Sequence, residues 1–503
     1  MEWSRYNQLF ESERFGLFLY NALSNTLMEL DEPYYRALEG MRECGGAPGG
    51  GVSAPADPAA PGAEAGADPA ADRDFLALLA ENKVLVEAGE EQRLLLARHY
   101  GRQARRFDSS HLGLTICPTL QCNFRCPYCF EQSQQVGTTM SPETVDRLIA
   151  FIGSYKDARR LSLGWYGGEP TLAWEVIEDV TARAQALDIE LEGAGLVTNG
   201  YLLDAAKIAR LGDLQIRSIQ ITLDGPPEVH DSRRVLAGGG PTYARILENV
   251  ALLMESAYEG SCTIRVNVDK HNRERFLELR AELLARFAGK RLSVYPGHVH
   301  TGPGHAYDHA CNLDLKDWAA LTVDLYRGGG LLPKEGFYPA ANLDGTCVAT
   351  SHNGFVVGPR GELYKCWEDV GKPEMVIGDI AAEEPITDPG LRALYALGTD
   401  AYDDPECAAC NVLPICGGGC ANRRLRAKHF GEQGLTYCSP YKEHLTAYLE
   451  EYYDSYLSRA LLGVGLPPHD AAAADRGYRM VHPRKRSAAE APHLLADPVG
   501  QER

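Results

Sequence analysis

The sequence has no long apolar run and no excess of positive charge. No stretch of its 503 residues approaches the ~18 apolar residues needed to cross a bilayer, and its first residues lack a basic region followed by an apolar one. Fifty Lys plus Arg stand against 69 Asp plus Glu, for a formal charge of −19. Nucleic acid and membranes attract basic surfaces. We therefore expect a cytoplasmic protein that binds small molecules or proteins, not nucleic acid or membrane.

A disulfide framework is also unexpected, although the chain has 14 cysteines, because the cytosol keeps thiols reduced. Metal or cluster ligation is the better explanation. Three cysteines fall within residues 122–129, and seven more lie between Cys347 and Cys438. Ten clustered thiols indicate more than one iron or zinc site.

Composition and periodicity divide the chain, whose length fits about three domains, into four parts. Residues 1–100 predict short strands and helices around an Ala/Gly/Pro-rich insert at 45–72, which has too few apolar side chains to order. Residues 108–330 alternate apolar runs with amphipathic helical stretches. Residues 340–462 are loop-rich and cysteine-dense and end in a helix. The tail, 463–503, is expected to be disordered.

The alternation in the second part predicts an α/β fold with a parallel sheet. We count six β/α units, fewer than the eight of a complete barrel, so a partial (β/α)6 barrel is expected. The predicted strands lie near residues 112–119, 161–166, 190–198, 218–223, 262–268 and 292–295.

The first cysteine cluster, Cys122-Asn-Phe-Arg-Cys126-Pro-Tyr-Cys129, directly follows the first predicted strand. Barrel active sites are built from such loops. Three thiolates on a four-iron cluster would leave one iron open, as open catalytic metal sites do. A structural zinc ion is the alternative, but it needs a fourth ligand nearby, and Cys117 is badly placed for it. The location therefore favours catalysis.

This spacing, with an aromatic residue before the last cysteine, resembles the signature of the radical S-adenosylmethionine (SAM) superfamily. Gly167-Gly-Glu169, after the second predicted strand, resembles the family's GGE motif. The segments 197–200 and 222–225, which end the third and fourth strands, resemble the positions lining the pocket for the ribose and carboxylate of SAM. Four such motifs in order on successive strand ends are very unlikely by chance.

The resemblance implies the chemistry. An electron enters the cluster, SAM on the open iron is cleaved, and the 5′-deoxyadenosyl radical removes a hydrogen atom from an unactivated C–H bond, so the cofactor carries the difficult step. Glu169 would help to hold the methionine ammonium group. The implied catalytic cluster ligands are Cys122, Cys126 and Cys129, and the implied SAM-binding residues are Tyr128, Gly167, Gly168, Glu169, Thr198, Asn199, Thr222 and Asp224. A flavodoxin- or ferredoxin-type reductant is the expected electron donor.

The second array of cysteines resembles the SPASM domain, which carries two auxiliary 4Fe-4S clusters in peptide- and protein-modifying radical SAM enzymes. By that resemblance, one cluster is held by Cys407, Cys410, Cys416 and Cys438, and the other by Cys347, Cys366 and Cys420. Three 4Fe-4S clusters are thus implied in total. The last set is one ligand short. Either Cys311 completes it, or an iron is left open and able to bind a substrate thiolate or amide.

The first hundred residues resemble the winged-helix peptide-recognition element of pathways that modify ribosomally made peptides. An exposed edge strand in such a module can bind a leader peptide by strand addition. A structural cap on the barrel is the alternative. With the other resemblances, this implies an enzyme that binds a precursor peptide through its leader and installs a thioether or carbon–carbon crosslink.

Two further functions compete with this one. A formylglycine-generating sulfatase maturase shares the three-cluster layout, but that subgroup has an Asp directly after the second SPASM cysteine, where this chain has Trp367. A non-enzymatic iron–sulfur electron carrier or sensor would not need the Gly-Gly-Glu and strand-end motifs.

Overall fold

A computed structural model describes most of the chain. The described residues are 1–45, 72–131, 137–299, 301, 307, 309–332, 336–339, 347–461 and 477–481. Of the expected insert (45–72) and the tail (463–503), the described residues include only 45, 72 and 477–481. Within these residues, no helix combines the length and the apolar character that a membrane span requires.

The chain begins with a small antiparallel sheet followed by helices. Its elements are β1 (Glu2–Trp3), β2 (Asn7–Ser12), β3 (Gly16–Asn21), β4 (Thr26–Leu30), α1 (Glu32–Glu43), α2 (Arg73–Glu81), β5 (Leu85–Val86) and α3 (Glu90–Arg106). Strands β2, β3 and β4 form a meander, and β1 pairs with β5. Asn21 and Asn25 shape the turn between β3 and β4, because the Asn21 side chain accepts a hydrogen bond from Ser24 N at 2.7 Å and Asn25 is left-handed, with φ 57°. The assignment of this region as a winged helix stays a prediction.

A central parallel sheet follows, as the alternating pattern predicted. Its strands are β6 (His111–Ile116), β7 (Arg160–Trp165), β8 (Glu190–Thr198), β9 (Ile216–Thr222), β10 (Ser261–Val268) and β11 (Leu292–His298). They are neighbours in chain order, each parallel to the next. The helices between them are α4 (Pro142–Ser154), α5 (Trp174–Ala184), α6 (Ala205–Arg210), α7 (Pro227–Arg233), α8 (Tyr243–Glu255) and α9 (Phe276–Arg286). The α/β fold with its parallel sheet is confirmed.

The sheet continues beyond the six predicted strands. After α10 (Leu315–Gly329) come β12 (Gly354–Val357), β13 (Glu362–Tyr364) and β14 (Gly378–Asp379). Strand β12 is parallel to β6 through the Phe355–Leu114 pair, and β13 and β14 add antiparallel strands. The region expected to be loop-rich therefore contributes strands to the central sheet, and Phe355 of β12 is completely buried in the core. These strands are too short to give a clear periodic signal.

The remaining helices connect the cysteine-rich region to the N-terminal sheet. They are α11 (Pro389–Ala393), α12 (Pro405–Ala408), α13 (Leu413–Cys416), α14 (Ala421–His429) and α15 (Tyr441–Leu461), the predicted closing helix. The ring of Tyr453 on α15 packs edge-on against Phe18 of β3 at 4.9 Å. Glu451, fully buried on α15, accepts a hydrogen bond from Arg14 at 2.6 Å.

Three arginines on one face of α3 bind the two flanking regions together. Arg98 donates to the backbone carbonyl of Leu23 in the N-terminal sheet region. Arg102 donates to Gly417 O at 2.7 Å, and Arg106 pairs with Asp400 at 2.7 Å. Their spacing of four residues places all three side chains on the same face of the helix.

Part of the tail is ordered, contrary to the expectation that 463–503 would be disordered. Strand β15 (Tyr478–Val481) pairs antiparallel with β4, so the N-terminal sheet has the order β15-β4-β3-β2. Four alternating residues in an Ala/Pro/Asp-rich segment give too weak a strand signal to be recognised from sequence.

The packing of β12 into the central core can be tested by truncating its aromatic side chain. Phe355→Ala should lower the free energy of unfolding by about 3–5 kcal/mol, because it removes a completely buried ring. The matched control is Phe430→Ala, whose ring is 45% exposed and which should cost less than about 1 kcal/mol. Urea denaturation followed by tryptophan fluorescence measures both. Equal losses for the two variants would show that β12 is not part of the core.

Candidate active site

The first cysteine cluster lies on the loop that follows β6, at the carboxyl end of the parallel sheet. Cys129 N donates to Cys126 O at 3.2 Å, which closes the loop around the three thiols. Arg125 N donates to Val235 O at 2.9 Å and so ties the loop to the segment after α7. Burial raises the pKa of Cys122 and of Cys129 to about 12. In the absence of a bound metal, burial in the loop therefore favours the protonated form of these two thiols.

The segment after β7 lies directly against this loop. Gly168 N donates to Thr119 O at 3.1 Å, and Glu169 N donates to Gln121 O at 2.8 Å. A Cβ atom on Gly167 would lie 2.5 Å from Thr119 O, and one on Gly168 would lie 2.3 Å from Gln121 O. Gly167 also has φ of +114°. The protein's own backbone therefore requires glycine at both positions.

The carboxylate of Glu169 joins the second motif to the third. This side chain is 1% exposed. Its Oε1 accepts from Thr198 Oγ1 at 2.7 Å and from Thr171 N at 3.0 Å, and its Oε2 accepts from Asn199 N at 2.7 Å. Burial raises the pKa of Glu169, and these hydrogen bonds oppose that rise. Because each carboxylate oxygen has two acceptor sites, Oε2 can accept one further donor, such as an ammonium group.

The third motif returns to the cysteine loop through an amide pair. Asn199 Nδ2 donates to Asn123 Oδ1 at 2.7 Å, and Asn123 lies between Cys122 and Cys126. Asn123 Nδ2 is buried without a hydrogen-bond partner among the described residues. An unpartnered buried donor beside three thiols fits a site that receives another group.

The fourth motif meets the cysteine loop through Tyr128. Thr222 ends β9 and is buried, and Asp224 follows it, completely buried. Asp224 Oδ2 accepts a short hydrogen bond from Tyr128 OH and one of 3.2 Å from Arg233 Nε, while Oδ1 accepts from Asn267 N at 3.3 Å. Seven of the eight predicted SAM-binding residues therefore lie in the cysteine loop or in contacts that lead to it, while Thr222 lies two residues before Asp224 at the end of β9. Their individual roles stay predictions.

Two adjacent arginines complete this network and were missed from the sequence. Arg233 Nη1 donates to Asp269 Oδ2 at 2.8 Å, and Arg234 Nη1 donates to Tyr128 OH at 3.0 Å. Arg234 also lowers the pKa of the Cys126 thiol, against the larger effect of burial. A doubled arginine shortly after a strand-end aspartate is the signal that could have identified them.

Glu131 is a second group that sequence reasoning missed. It is 5% exposed, and its Oε1 has no hydrogen-bond partner among the described residues. Burial raises its pKa to about 8, and its carboxylate raises the pKa of the Cys129 thiol and of the Tyr166 hydroxyl. Tyr166 in turn packs against Trp367 at 5.9 Å between ring centroids, which brings the C-terminal cysteine region to the site.

The residues present fit an iron–sulfur cluster with a bound SAM. Three thiols on one loop are the soft ligands that such clusters use, and the buried, unpartnered atoms of Asn123 and Glu131 leave polar capacity beside them. Within the described part of the chain, no group of three or more His, Cys, Asp or Glu side chains is arranged to hold a single metal ion.

The cysteines of one predicted auxiliary set are electrostatic neighbours. Cys407 and Cys416 both raise the pKa of Cys438, and Cys410 N donates to Cys407 O at 2.9 Å. Arg424 Nη2 donates to Cys407 Sγ at 3.0 Å. The thiols of Cys407, Cys416 and Cys438 therefore lie near one another, with a guanidinium group beside Cys407.

The other predicted set, Cys347, Cys366 and Cys420, is gathered in the same way. Cys420 raises the pKa of both other thiols, and the carboxylate of Glu368 raises the pKa of all three. The Sγ atom of Cys311, the candidate for the fourth ligand, lies 2.9 Å from His271 Nε2.

A cavity of about 430 Å³ lies between β11, α10 and the second cysteine region. Cys420 of one auxiliary set and Cys438 of the other both line it, together with Tyr437 and Trp318. The two auxiliary sets therefore face a common space.

Comparison with known proteins identifies the family of the central region. Residues 116–283 match the model of the radical SAM superfamily. The serine-type anaerobic sulfatase-maturating enzyme of Bacteroides thetaiotaomicron is 22% identical over 373 residues, which cover 65% of this chain and 88% of that protein. The mycofactocin maturase MftC of Mycobacterium ulcerans is 26% identical over 368 residues, 67% of this chain and 89% of that protein.

A solved structure, native anSMEcpe with bound AdoMet and Cp18Cys peptide, has the same fold. It aligns with a TM-score of 0.52 and 20% identity over 70% of this chain and 99% of that one. The match to the family model shows a radical SAM domain at residues 116–283 and makes the protein a radical SAM enzyme, which implies SAM and a 4Fe-4S cluster as cofactors. The alternative of a non-enzymatic electron carrier is therefore wrong.

The contact between the glycine segment and the cysteine loop can be tested with one methyl group. Gly168→Ala should abolish reductive SAM cleavage, because its Cβ would lie 2.3 Å from Gln121 O. Gly137→Ala is the matched control, since its Cβ would lie 3.6 Å from the Gln121 side chain, an ordinary contact. Formation of 5′-deoxyadenosine measures both variants. Equal activity would show that the close approach is not required.

The cluster ligands can be tested by metal content. Changing Cys122, Cys126 and Cys129 together to Ala should remove one cluster's iron and sulfide from the reconstituted protein, and all SAM cleavage. Cys262→Ala, which changes a buried thiol of β10, should leave both unchanged. If the triple variant still cleaves SAM, the catalytic assignment is contradicted.

Proposed function

We propose that this radical SAM enzyme is a maturase that modifies a ribosomally made precursor peptide and installs a thioether or carbon–carbon crosslink. The precursor would be held through its leader by the N-terminal sheet, while the residue to be modified reaches the site at the carboxyl ends of the central strands. The proposal assigns leader binding to residues 1–100, the radical chemistry to residues 108–330 and the auxiliary clusters to residues 340–462.

The chain's own residues bind, orient and enclose the reacting groups. When bound, the cluster and SAM together supply the one-electron chemistry that removes a hydrogen atom from an unactivated C–H bond. Glu169 presents an acceptor for an ammonium group, and the Asp224–Tyr128 pair fixes the loop between two cluster cysteines. Burial of Trp165, Glu131 and Cys117 keeps this end of the sheet dry.

The observation that carries the proposal of a peptide substrate is the pairing at β4. The N-terminal sheet accepts an extended segment, β15, along this strand. Strand addition of this kind gives affinity for peptides through main-chain hydrogen bonds, with side-chain pockets adding specificity. A small-molecule substrate would have no use for such an edge.

The second cysteine region supports the proposal of two auxiliary 4Fe-4S clusters. Cys407 and Cys416 lie near Cys438, and Cys347 and Cys366 lie near Cys420, which supports the proposal, as does the contact of Trp367 with Tyr166 of the radical site. A flavodoxin- or ferredoxin-type protein would supply the electron for SAM cleavage. Forming a crosslink removes two hydrogen atoms from the peptide: the 5′-deoxyadenosyl radical would take one, and the second would leave as a proton and an electron that an auxiliary cluster could accept. The proposal includes three 4Fe-4S clusters per chain. It also includes a cytoplasmic location for the enzyme.

The competing function is that of an anaerobic sulfatase-maturating enzyme, and the similarity to proteins of that name favours it. The position directly after Cys366 argues against it, because Trp367 has no group that takes a proton. The nearest buried carboxylate, Asp369, accepts hydrogen bonds from Tyr395 OH and Asn422 Nδ2. It therefore serves the internal packing of this region.

The two functions can be separated by the product. A candidate precursor, taken from any short reading frame found beside this gene and incubated with the reconstituted enzyme, SAM and reductant, should lose two hydrogen atoms and resist fragmentation within a crosslinked ring in mass spectrometry. The control is a sulfatase peptide carrying the Cys or Ser to be oxidised. A product that reacts with a hydrazide, formed only from the sulfatase peptide, would contradict the proposal in favour of the alternative.

The short ligand set gives a separate prediction. Because Cys311 is placed beside His271, Cys311→Ala should leave the electron paramagnetic resonance spectrum of the auxiliary clusters unchanged. Cys366→Ala, which removes a ligand, should change it, because loss of a thiolate alters a cluster's charge and potential. A spectrum altered by Cys311→Ala would instead make Cys311 the fourth ligand.

A further inference from the structure

We propose that the segment Gly477–Val481 is an internal competitor of the leader peptide, which it mimics on the β4 edge. The inference rests on the proposed function for the identity of the partner. It adds that residues 477–481 already occupy the β4 edge. Their sequence indicates which leader would fit there: one with an aromatic, a basic, an apolar and an aliphatic residue in succession.

The backbone of this segment makes the contacts that any extended peptide could make. The pairs are Tyr478–Leu30, Arg479–Glu29, Met480–Met28 and Val481–Leu27. Asp31 N donates to Gly477 O at 2.8 Å and extends the ladder by one residue. These main-chain bonds do not select a sequence, so selection falls to the side chains.

On one face of the strand, an aromatic side chain fills a pocket below the helices. Tyr478 is 8% exposed. Its ring lies 4.8 Å from that of Phe75 on α2 and 5.2 Å from that of Tyr34 on α1, between centroids. Met480 packs on the same face, half-buried against the same core. Two apolar positions, the first aromatic, are thus specified.

On the other face, a basic and an aliphatic side chain point toward α15. Arg479 Nε donates to Glu29 Oε2 at 2.7 Å, and Arg479 Nη2 donates to Tyr453 OH at 2.6 Å. Tyr453 OH itself donates to Glu29 Oε2 at 2.7 Å, so Glu29 is held in place as a receptor for a cation. Val481 is completely buried in the core that the sheet shares with α15.

The same features that seat the segment also allow another peptide to replace it. The strand is four residues long and is hydrogen-bonded to β4 alone among the described strands. Its ion pair is partly exposed, with 35% of the Arg479 side chain and 27% of the Glu29 side chain accessible. Being tethered to the chain, it competes at a high effective concentration. A leader would bind with an apparent affinity reduced by the fraction of chains in which the edge is occupied.

The test uses the segment itself as the probe, so that no substrate has to be known. A fluorescein-labelled peptide of the sequence of residues 474–484 is titrated with reconstituted full-length enzyme and with a chain that ends at residue 476. Fluorescence anisotropy should show binding to the shortened chain that is at least about tenfold tighter than to the full-length chain. Equal binding to both, or binding to neither, would overturn the proposal.

Charge reversal tests the register. In the shortened chain, Glu29→Lys should abolish binding of the probe, and a probe with Glu in place of the residue at 479 should restore it. Glu32→Lys, an equal charge change on the exposed first turn of α1, is the matched control and should bind the original probe as before. Loss of binding in both variants would show a general charge effect and contradict the assigned contact.

A second variant covers the case in which the shortened chain does not fold. Arg479→Glu in the full-length chain places a carboxylate against Glu29 and should raise probe binding and speed hydrogen exchange of the β4 amides. Unchanged exchange and binding would overturn the proposal. These outcomes can be read separately from the maturase assignment, because the probe carries no residue to be modified. Failed peptide modification with intact probe binding would reject the function and the leader as the partner, and would keep only an exchangeable strand site for residues 477–481 on β4.

Discussion

The site depends on a contact between two backbone segments that any side chain would prevent. Gly167 and Gly168 bring the chain after β7 onto the carbonyl oxygens of the loop after β6, and this sets the position of Glu169. Glu169 begins a series of contacts that returns to the cysteine loop. Glu169 binds Thr198 and the backbone of Asn199, and Asn199 binds Asn123, which lies inside the cysteine loop. The loop that carries the thiols is therefore fixed from both sides by the second and third motifs.

Burial gives this site its chemical character. Burial raises the pKa of the Cys122 and Cys129 thiols, and because clusters bind thiolates, this burial couples loading with iron to the release of protons. The opposite side of the loop contacts a buried network of charged and polar side chains. Asp224 accepts hydrogen bonds from Tyr128 and from Arg233, and Arg234 donates a hydrogen bond to Tyr128. The Arg233 guanidinium pairs with both Asp224 and Asp269, and without such partners the burial of these charges would be costly.

The repeated β/α units could be predicted from the sequence. The short strands, and the contacts between residues that are far apart in the chain, could not. Six strands were recognisable because apolar runs alternated with amphipathic helices over two hundred residues, and the four motifs because each follows a strand. Strands β12 and β15 have four residues each, which is too short for a periodic pattern. The pairing of Cys311 with His271, and of Arg479 with Glu29 across most of the chain, depends on tertiary packing that spacing alone does not reveal.

The central claim is that hydrogen abstraction at this site acts on a peptide held by the same chain. It is tested most directly by isotope transfer. The precursor peptide is made with deuterium on the carbon atoms of its core residues and turned over with unlabelled SAM, and 5′-deoxyadenosine is analysed by mass spectrometry. We predict that deuterium appears in 5′-deoxyadenosine and that removing the leader from the peptide suppresses the transfer. Deuterium-free 5′-deoxyadenosine, formed at the same rate with and without the peptide, would contradict the claim.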